Sequence, residues 1–124
     1  MRKLGLLVLS VLTCALLGGC AETEFVERVT ITNESAFPAR VELRDASDGA
    51  RVTLATVGAG DERAVEQVID RDVWIFVFSY ARNEAGEVRM DRSDLEGRGW
   101  AVEVPPEFET ELREAGLEPP GGEP

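Results

Sequence analysis

The sequence predicts an all-β fold, a small antiparallel β-sandwich, from one strongly apolar stretch and the regular spacing of shorter ones. Residues 73–80 read Val-Trp-Ile-Phe-Val-Phe-Ser-Tyr, so β-branched and aromatic residues occupy both faces and neither Gly nor Pro interrupts them. Such a run is typical of a central strand that is covered on both sides. Around it, short segments of alternating apolar and polar residues recur at about ten-residue spacing between turn signals, which is typical of a sandwich.

This alternation predicts six further strands. An immunoglobulin-like strand order is compatible with their spacing, although the Cys-Trp-Cys signature of true immunoglobulin domains is absent. One segment, 62–69, fits a helix as well as a strand, and we interpret it as a strand. The segment 81–86 is interpreted as a polar loop. The six predicted strands are 26–33, 39–45, 51–56, 62–69, 87–91 and 100–104.

Turn residues separate these strands. The first turn combines Asn33-Glu34-Ser35 with Pro38, which cannot donate to a strand ladder. Asp48-Gly49 is typical of a hairpin turn. The core is predicted to collect Ile31, Val41, Leu43, Leu54, Val65, Trp74, Phe76, Phe78, Val88, Trp100 and Val102, and Val52 and Met90 are also interpreted as pointing inward.

Two short helices are predicted in the last third of the chain. Ser93 and Glu96 have the spacing of a capping box, which predicts one helical turn that ends at Gly97 or Gly99. Apolar residues spaced four and three apart predict a C-terminal helix over 107–115, followed by Gly116 as a stop. Residues 118–124 are rich in Pro and Gly and are expected to be a disordered tail. The sandwich domain therefore spans 26–117.

The first twenty residues have the organisation of an export signal. Arg2 and Lys3 form a short basic region, and an apolar stretch over 4–17 follows, too short to span a bilayer comfortably. The stretch ends in Leu17-Gly18-Gly19-Cys20, which resembles the lipobox of bacterial lipoproteins: a branched apolar residue, two small residues and a cysteine. An ordinary cleaved signal or an uncleaved anchor is the alternative.

The lipobox resemblance implies a location and an anchor. It implies cleavage between Gly19 and Cys20, removal of 1–19 as a signal peptide, and diacylglycerol on the Cys20 sulfur. Residues 20–25 would then tether the domain to the bacterial cell membrane on its extracytoplasmic side. The membrane, reached through the lipid on Cys20, is the expected partner.

Charge and missing residue types exclude several function classes. Loss of Arg2 and Lys3 from the 13 basic residues leaves 11 against 24 acidic ones, and so acidic a domain is expected to repel nucleic acid. The chain has no His, and its one Lys and its second cysteine, Cys14, lie in the signal. The mature domain therefore lacks the groups of a Ser-His-Asp triad, a Cys-His pair, a Schiff-base lysine, a P-loop or a His/Cys zinc site. We expect no catalytic residues, no bound metal and no cofactor.

Some side chains have a functional interpretation beside a structural one. Trp74 and Trp100 are candidates to stack on a ring-shaped ligand, but aromatic residues in alternating strands more often belong to the core. Asp70, Asp72, Asp91 and Asp94 are candidate calcium ligands, but their spacing matches no calcium loop and turn acids are usually solvated. A carboxylate pair acting as a glycosidase is a further alternative.

The stretch from Trp74 to Pro105 resembles small domains of uncharacterised envelope proteins from high-GC bacteria. The resemblance rests on Trp74-Ile75-Phe76, Gly86-Glu87-Val88, Arg92-Ser93-Asp94-Leu95, Gly99-Trp100 and Val104-Pro105. It implies an envelope location and the fold, and no activity. We therefore expect a lipid-anchored binding or interaction module of the cell envelope that has a ligand or an envelope protein as partner. An extracytoplasmic enzyme that uses carboxylates or a bound metal is the alternative.

Overall fold

A computed structural model describes residues 24–121, except for the side chain of Glu27. Two β-sheets and two short helices make up this part of the chain. The predicted export signal and Cys20 lie outside this range. The strands are β1 (Phe25–Thr32), β2 (Ala39–Arg44), β3 (Arg51–Val57), β4 (Glu62–Ile69), β5 (Val73–Tyr80), β6 (Asn83–Asp91) and β7 (Ala101–Glu103). The helices are α1 (Arg92–Gly97) and α2 (Pro106–Glu114).

The strands form a three-stranded sheet in the order β4-β1-β7 and a four-stranded sheet in the order β3-β2-β5-β6. Neighbouring strands are antiparallel except β1 and β7, which run parallel over Thr30–Thr32 and Ala101–Glu103. The apolar inner faces of both sheets contribute to one core. The predicted small all-β sandwich with one short helical turn and a C-terminal helix is confirmed.

The strand order is not that of an immunoglobulin domain, which corrects the topology that the spacing had left open. Numbered along the chain, the immunoglobulin order is 1-2-5-4 in one sheet and 3-6-7 in the other. Here β1 and β2 belong to different sheets. The chain crosses between the sheets in the turn over 33–38, where Asn33 is fully buried.

Strand β5 is an interior strand of the four-stranded sheet, and both of its faces are buried, as predicted. Trp74, Phe76 and Phe78 point into the core and are fully buried. On the opposite face Ile75 is only 4% exposed and Val77 only 2%. Since this second face lies on the outside of the sandwich, something other than the core must cover it.

Long charged side chains of the neighbouring strands cover the outer face of β5. Val77 has Glu42 and Glu87 as its cross-strand neighbours. The carboxylates pair with arginines of the same sheet, with Arg44 Nη2 2.9 Å from Glu87 Oε1 and Arg51 Nη1 3.2 Å from Glu42 Oε1. Their aliphatic stems can lie over the apolar strand while the charged ends stay in water. The two-sided burial of β5 thus arises from one core and one layer of paired charges.

Most of the predicted core is confirmed, and Val52 is the exception. Eight of the residues predicted to point inward are buried in the core cluster, and Leu54, Val65, Val88 and Trp100 pack against it from partly buried positions. Val52 is 50% exposed although it pairs with the buried Leu43, because it lies on an edge strand beside the hairpin loop. The predicted core list left out four fully buried residues that lie in turns or helices: Phe37, Leu95, Phe108 and Leu112.

Segment 62–69 is a strand, and its helix-like spacing has a structural cause. Val65 and Val68 are three residues apart, yet both contact the core. Gln67 between them has φ +62, outside the extended region. This irregular residue changes the alternation of the strand, so that residues three apart can share a face.

Both helices end in the same glycine-containing motif. In α2 the N–H of Gly116 donates to the Arg113 carbonyl and that of Leu117 to the Leu112 carbonyl, which is a Schellman motif. In α1 the stop is Gly99, with φ +66. The N-terminal cap of α1 differs from the prediction.

The helix cap and one loop correct the sequence interpretation by a few residues. The capping box of α1 joins Asp91 and Asp94, not Ser93 and Glu96, because the Asp91 carboxylate accepts from the Asp94 N–H at 2.8 Å. The predicted polar loop over 81–86 is mostly strand. β6 begins at Asn83, after a two-residue turn in which Ala81 and Arg82 both have positive φ. Such turns usually hold Asn and Gly, and because neither residue is present at 81 or 82, no hairpin turn was predicted there.

Glu109 links α2 to the turn between β1 and β2. Its carboxylate accepts from the Ala36 N–H at 3.0 Å and from Arg113 Nε at 2.9 Å, and these bonds hold the pKa of the Glu109 carboxyl below its ordinary value. A hydrogen bond from Arg51 likewise lowers the pKa of Glu84. Both carboxylates therefore stabilise the fold above their unfolded pKa values, and the stabilisation is lost as the pH falls through the lowered ones.

We expect the free energy of unfolding to decrease as the pH falls below the ordinary pKa of a glutamate carboxyl, and Glu109→Gln to make this decrease less steep. Urea denaturation at neutral and acidic pH measures the effect. Glu111→Gln, on the exposed side of the same helix, is the matched control and should retain the wild-type pH dependence. If the free energy of unfolding of Glu109→Gln falls as steeply with decreasing pH as that of the wild type, the role assigned to this carboxylate is contradicted.

Candidate functional site

The lipidation and cleavage residues predicted from the sequence, Cys20 and Gly19, lie outside the described residues. The tether predicted over 20–25 meets the fold at its last residue. Phe25 is the first residue of β1 and pairs with Ile69 of β4. Its side chain is nevertheless 50% exposed, which is unusual for a phenylalanine.

Three of the four candidate calcium ligands have structural roles, and the fourth, Asp72, is exposed. Asp91 and Asp94 cap α1, and Asp70 pairs with the guanidinium of Arg92. Within residues 24–121 no three His, Cys, Asp or Glu side chains are grouped closely enough to hold a metal ion. The structure therefore does not bring these acids together as a site.

The two tryptophans do come together. Their ring centroids are 6.1 Å apart at an interplanar angle of 83°, an edge-to-face arrangement. Trp74 is fully buried and its Nε1 donates to the Ile69 carbonyl at 2.9 Å. Trp100 is only partly buried. Trp74 is thus a core residue, whereas Trp100 lies at the boundary between the core and the surface.

Trp100 forms one wall of a surface cleft of about 460 Å³. β1 contributes Phe25, Arg28 and Thr30 to the lining of this cleft. Arg92 of α1 lines it as well, together with its ion-pair partner Asp70. The volume falls within the range of ligand sites, and aromatic walls with a few converging polar groups are typical of them.

Backbone hydrogen bonds hold Trp100 in a conformation that a tryptophan rarely adopts. Its φ is +62, a left-handed conformation that costs a residue with a Cβ about 1–2 kcal/mol. Its N–H donates to the Leu95 carbonyl at 2.8 Å, and its carbonyl accepts from the Thr30 N–H at 2.9 Å. The end of α1 and the start of the β1–β7 pairing therefore fix the position of this wall. Backbone strain of this kind is found preferentially at functional sites.

Arg92 is held in place by aromatic rings and by a carboxylate. Its guanidinium carbon lies 5.6 Å from the ring centroid of Trp74 and 5.9 Å from that of Trp100, within the range of cation–π contacts. It also forms an ion pair with Asp70, which precedes β5. Residues that are far apart in the sequence thus position this cation at the cleft.

The cleft differs in charge from the rest of an acidic chain. Its lining holds Arg28 and Arg92 against the single carboxylate of Asp70, and Arg28 Nη2 also lies 3.2 Å from the Glu66 carboxylate on β4. A second concavity, of about 440 Å³, lies between α2 and the turn after β1 and is lined by three glutamates and one arginine. The first cleft is therefore the better candidate for an anionic or neutral ligand, and it is the one with aromatic walls.

Sequence reasoning missed most of this site. Trp100 was considered as a ligand platform, but the exposed Phe25 was assigned to the tether, and Arg28 and Arg92 were not singled out as site residues. The available signal was a large aromatic residue at the start of a strand, next to the predicted tether.

These features define a small β-sandwich domain with one aromatic and arginine-lined cleft. No known protein family, curated protein or solved structure matches the chain significantly. None of the helices within residues 24–121 is long and apolar enough to cross a membrane.

Proposed function

We propose that this protein is a lipid-anchored binding module of the bacterial cell envelope and that the cleft between β1 and Trp100 is its binding site. The observation that carries the anchor is the sequence Leu17-Gly18-Gly19-Cys20, which resembles a lipobox. The observation that supports binding is a cleft of ligand size with aromatic walls.

The position of the cleft is compatible with this anchor. Phe25, on the cleft wall, comes five residues after Cys20 in the sequence, and an extended chain of that length reaches about 17 Å at most. The proposed site therefore lies within about that distance of the anchor. A lipid-anchored module of this kind would present its cleft to ligands at the membrane surface.

Replacement of Cys20 tests the anchor. We expect the native N-terminus to be Cys20 carrying acyl chains, since two or more chains hold a protein stably on a membrane at about 0.8 kcal/mol per buried CH₂. Cys20→Ser should abolish lipid attachment, so that the protein is released or stays as an unprocessed precursor. Mass spectrometry of the N-terminal peptide and membrane fractionation in the native host measure this.

Cys14→Ser is the matched control, because it removes the only other cysteine and leaves the lipobox intact. This variant should carry the lipid on Cys20 and fractionate with the membrane, like the wild type. An unmodified Cys20, or cleavage at another residue, would refute the lipoprotein proposal.

A further inference from the structure

The edge of β1 that faces the cleft is only half paired. β1 pairs with β4 on one side along its length, from Phe25 to Thr32. On the other side its partner β7 covers only Thr30–Thr32. Within the described residues, the stretch 25–29 has no strand beside it on that side, and the cleft occupies this position.

Backbone groups of β1 point into this gap. The Thr30 N–H and the Thr32 carbonyl both bond toward the β7 side, to the Trp100 carbonyl and the Val104 N–H respectively. The register with β4 is regular from Arg28 to Thr32, so alternation along the strand directs the N–H and C=O of Arg28 to the same side. A strand placed in the cleft would therefore be able to accept a hydrogen bond from the Arg28 N–H and donate one to the Arg28 carbonyl.

The side chains around the gap indicate what such a strand would carry. Phe25 and Trp100 present aromatic surface that an apolar side chain of a bound segment would contact. The Phe25 side chain by itself is half exposed. Arg28 and Arg92 line the cleft against one carboxylate, that of Asp70, which pairs with Arg92, whereas Arg28 pairs at 3.2 Å with the exposed Glu66 of β4, and water weakens such an exposed pair. Charge complementarity therefore favours an acidic group beside the apolar one.

We propose that the cleft binds an extended peptide segment of another polypeptide chain, which adds to the free edge of β1 as a continuation of the β7 position. The segment carries a large apolar side chain that contacts Phe25 and Trp100 and an acidic side chain that pairs with Arg28. This is strand addition, in which main-chain hydrogen bonds supply affinity and side-chain pockets supply specificity. The inference rests on the proposed binding function and names its ligand class.

A phage-displayed library of random peptides, selected on the protein as purified from its native host in detergent micelles, supplies the probe. We expect enriched peptides to combine aromatic or large aliphatic residues with Asp or Glu. On binding, the Arg28 amide should become protected from hydrogen exchange. Thr30→Tyr places a bulky side chain in the cleft and is compatible with a strand, because tyrosine is a good strand former. It should weaken binding by about tenfold or more, and so should Arg28→Glu.

Arg82→Glu makes the same charge reversal in the exposed turn between β5 and β6 and is the matched control. It should bind peptides like the wild type. Circular dichroism of every variant confirms that it is folded before its affinity is compared. The proposal is overturned if no peptide is enriched, if enriched peptides leave the Arg28 amide unprotected, or if they bind folded Thr30→Tyr and Arg28→Glu as tightly as the wild type. The state of Cys20 does not enter this measurement, so the outcome is independent of the test of the anchor.

Discussion

Phe76→Ala is expected to lower the free energy of unfolding by about 3–5 kcal/mol, the usual cost of removing a fully buried phenylalanine ring. Phe76 lies in the middle of the interior strand β5 and is fully buried between the two sheets. A domain of this size typically has about 5–15 kcal/mol of stability in total. The variant is therefore expected to lose a large fraction of it, and urea denaturation at neutral pH measures the loss.

Phe25→Ala is the matched control, because it deletes the same ring at a position that is half exposed. It should cost about 1 kcal/mol or less, in line with most surface substitutions. A loss below about 1 kcal/mol in Phe76→Ala as well would contradict the sandwich, because a fully buried ring cannot be removed so cheaply.

Asn33→Ala is expected to be the second most damaging substitution, at about 2–4 kcal/mol, because it leaves several buried polar groups without partners. Asn33 is fully buried where the chain passes from one sheet to the other. Its Nδ2 donates to the carbonyls of Phe37, Val57 and Gly58 at 2.8, 3.0 and 3.2 Å. Its Oδ1 accepts from the backbone and the hydroxyl of Ser35.

One amide side chain thus joins the end of β1, the approach to β2 and the end of β3. Asn83→Ala is the matched control: the Asn83 side chain is exposed and donates only a local bond to the Ala81 carbonyl. Thermal and urea denaturation of both variants give the comparison. Equal losses in Asn33→Ala and Asn83→Ala would show that the buried bonds of Asn33 contribute nothing beyond an ordinary surface amide.

Asn33→Asp separates the hydrogen bonds from the volume of the side chain. It keeps the shape and removes the amide donor, so that a carboxyl faces three carbonyl oxygens in a buried position. Burial raises the pKa of such a carboxyl, because it disfavours the charged form. The variant should therefore be destabilised most at neutral pH and recover part of its stability as the pH falls, opposite in sign to the acid response expected for Glu109.

Local patterns predicted the elements whose cause is local. The apolar run of β5, the alternation of β1 and β2, and the glycines that end α1 and α2 depend on residues within a few positions of one another, and the structure bears them out. The same reasoning failed where a local irregularity broke the pattern. Gln67 gave β4 a helix-like spacing, and the Ala81-Arg82 turn carried none of the residues that usually mark a hairpin.

The candidate site was largely beyond the reach of sequence reasoning. Arg92 and Asp70 are 22 residues apart, and nothing in either neighbourhood indicates that they pair above two tryptophan rings. The cleft itself is a gap, formed because β7 pairs with only three residues of β1. A missing neighbour leaves no pattern in the sequence of the strand that lacks it.

The sequence by itself determined that this chain is an all-β sandwich with two short helices around one doubly buried strand, because periodicity and turn residues report the local environment of each segment. Only the tertiary structure decided which sheet each strand joins, that Asn33 is buried at the crossing between the sheets, and that Phe25, Arg28, Arg92 and Trp100 surround one cleft. Contacts between distant segments decide these outcomes, because strands with similar alternation can pair in several orders and only the packing of the complete core selects one of them.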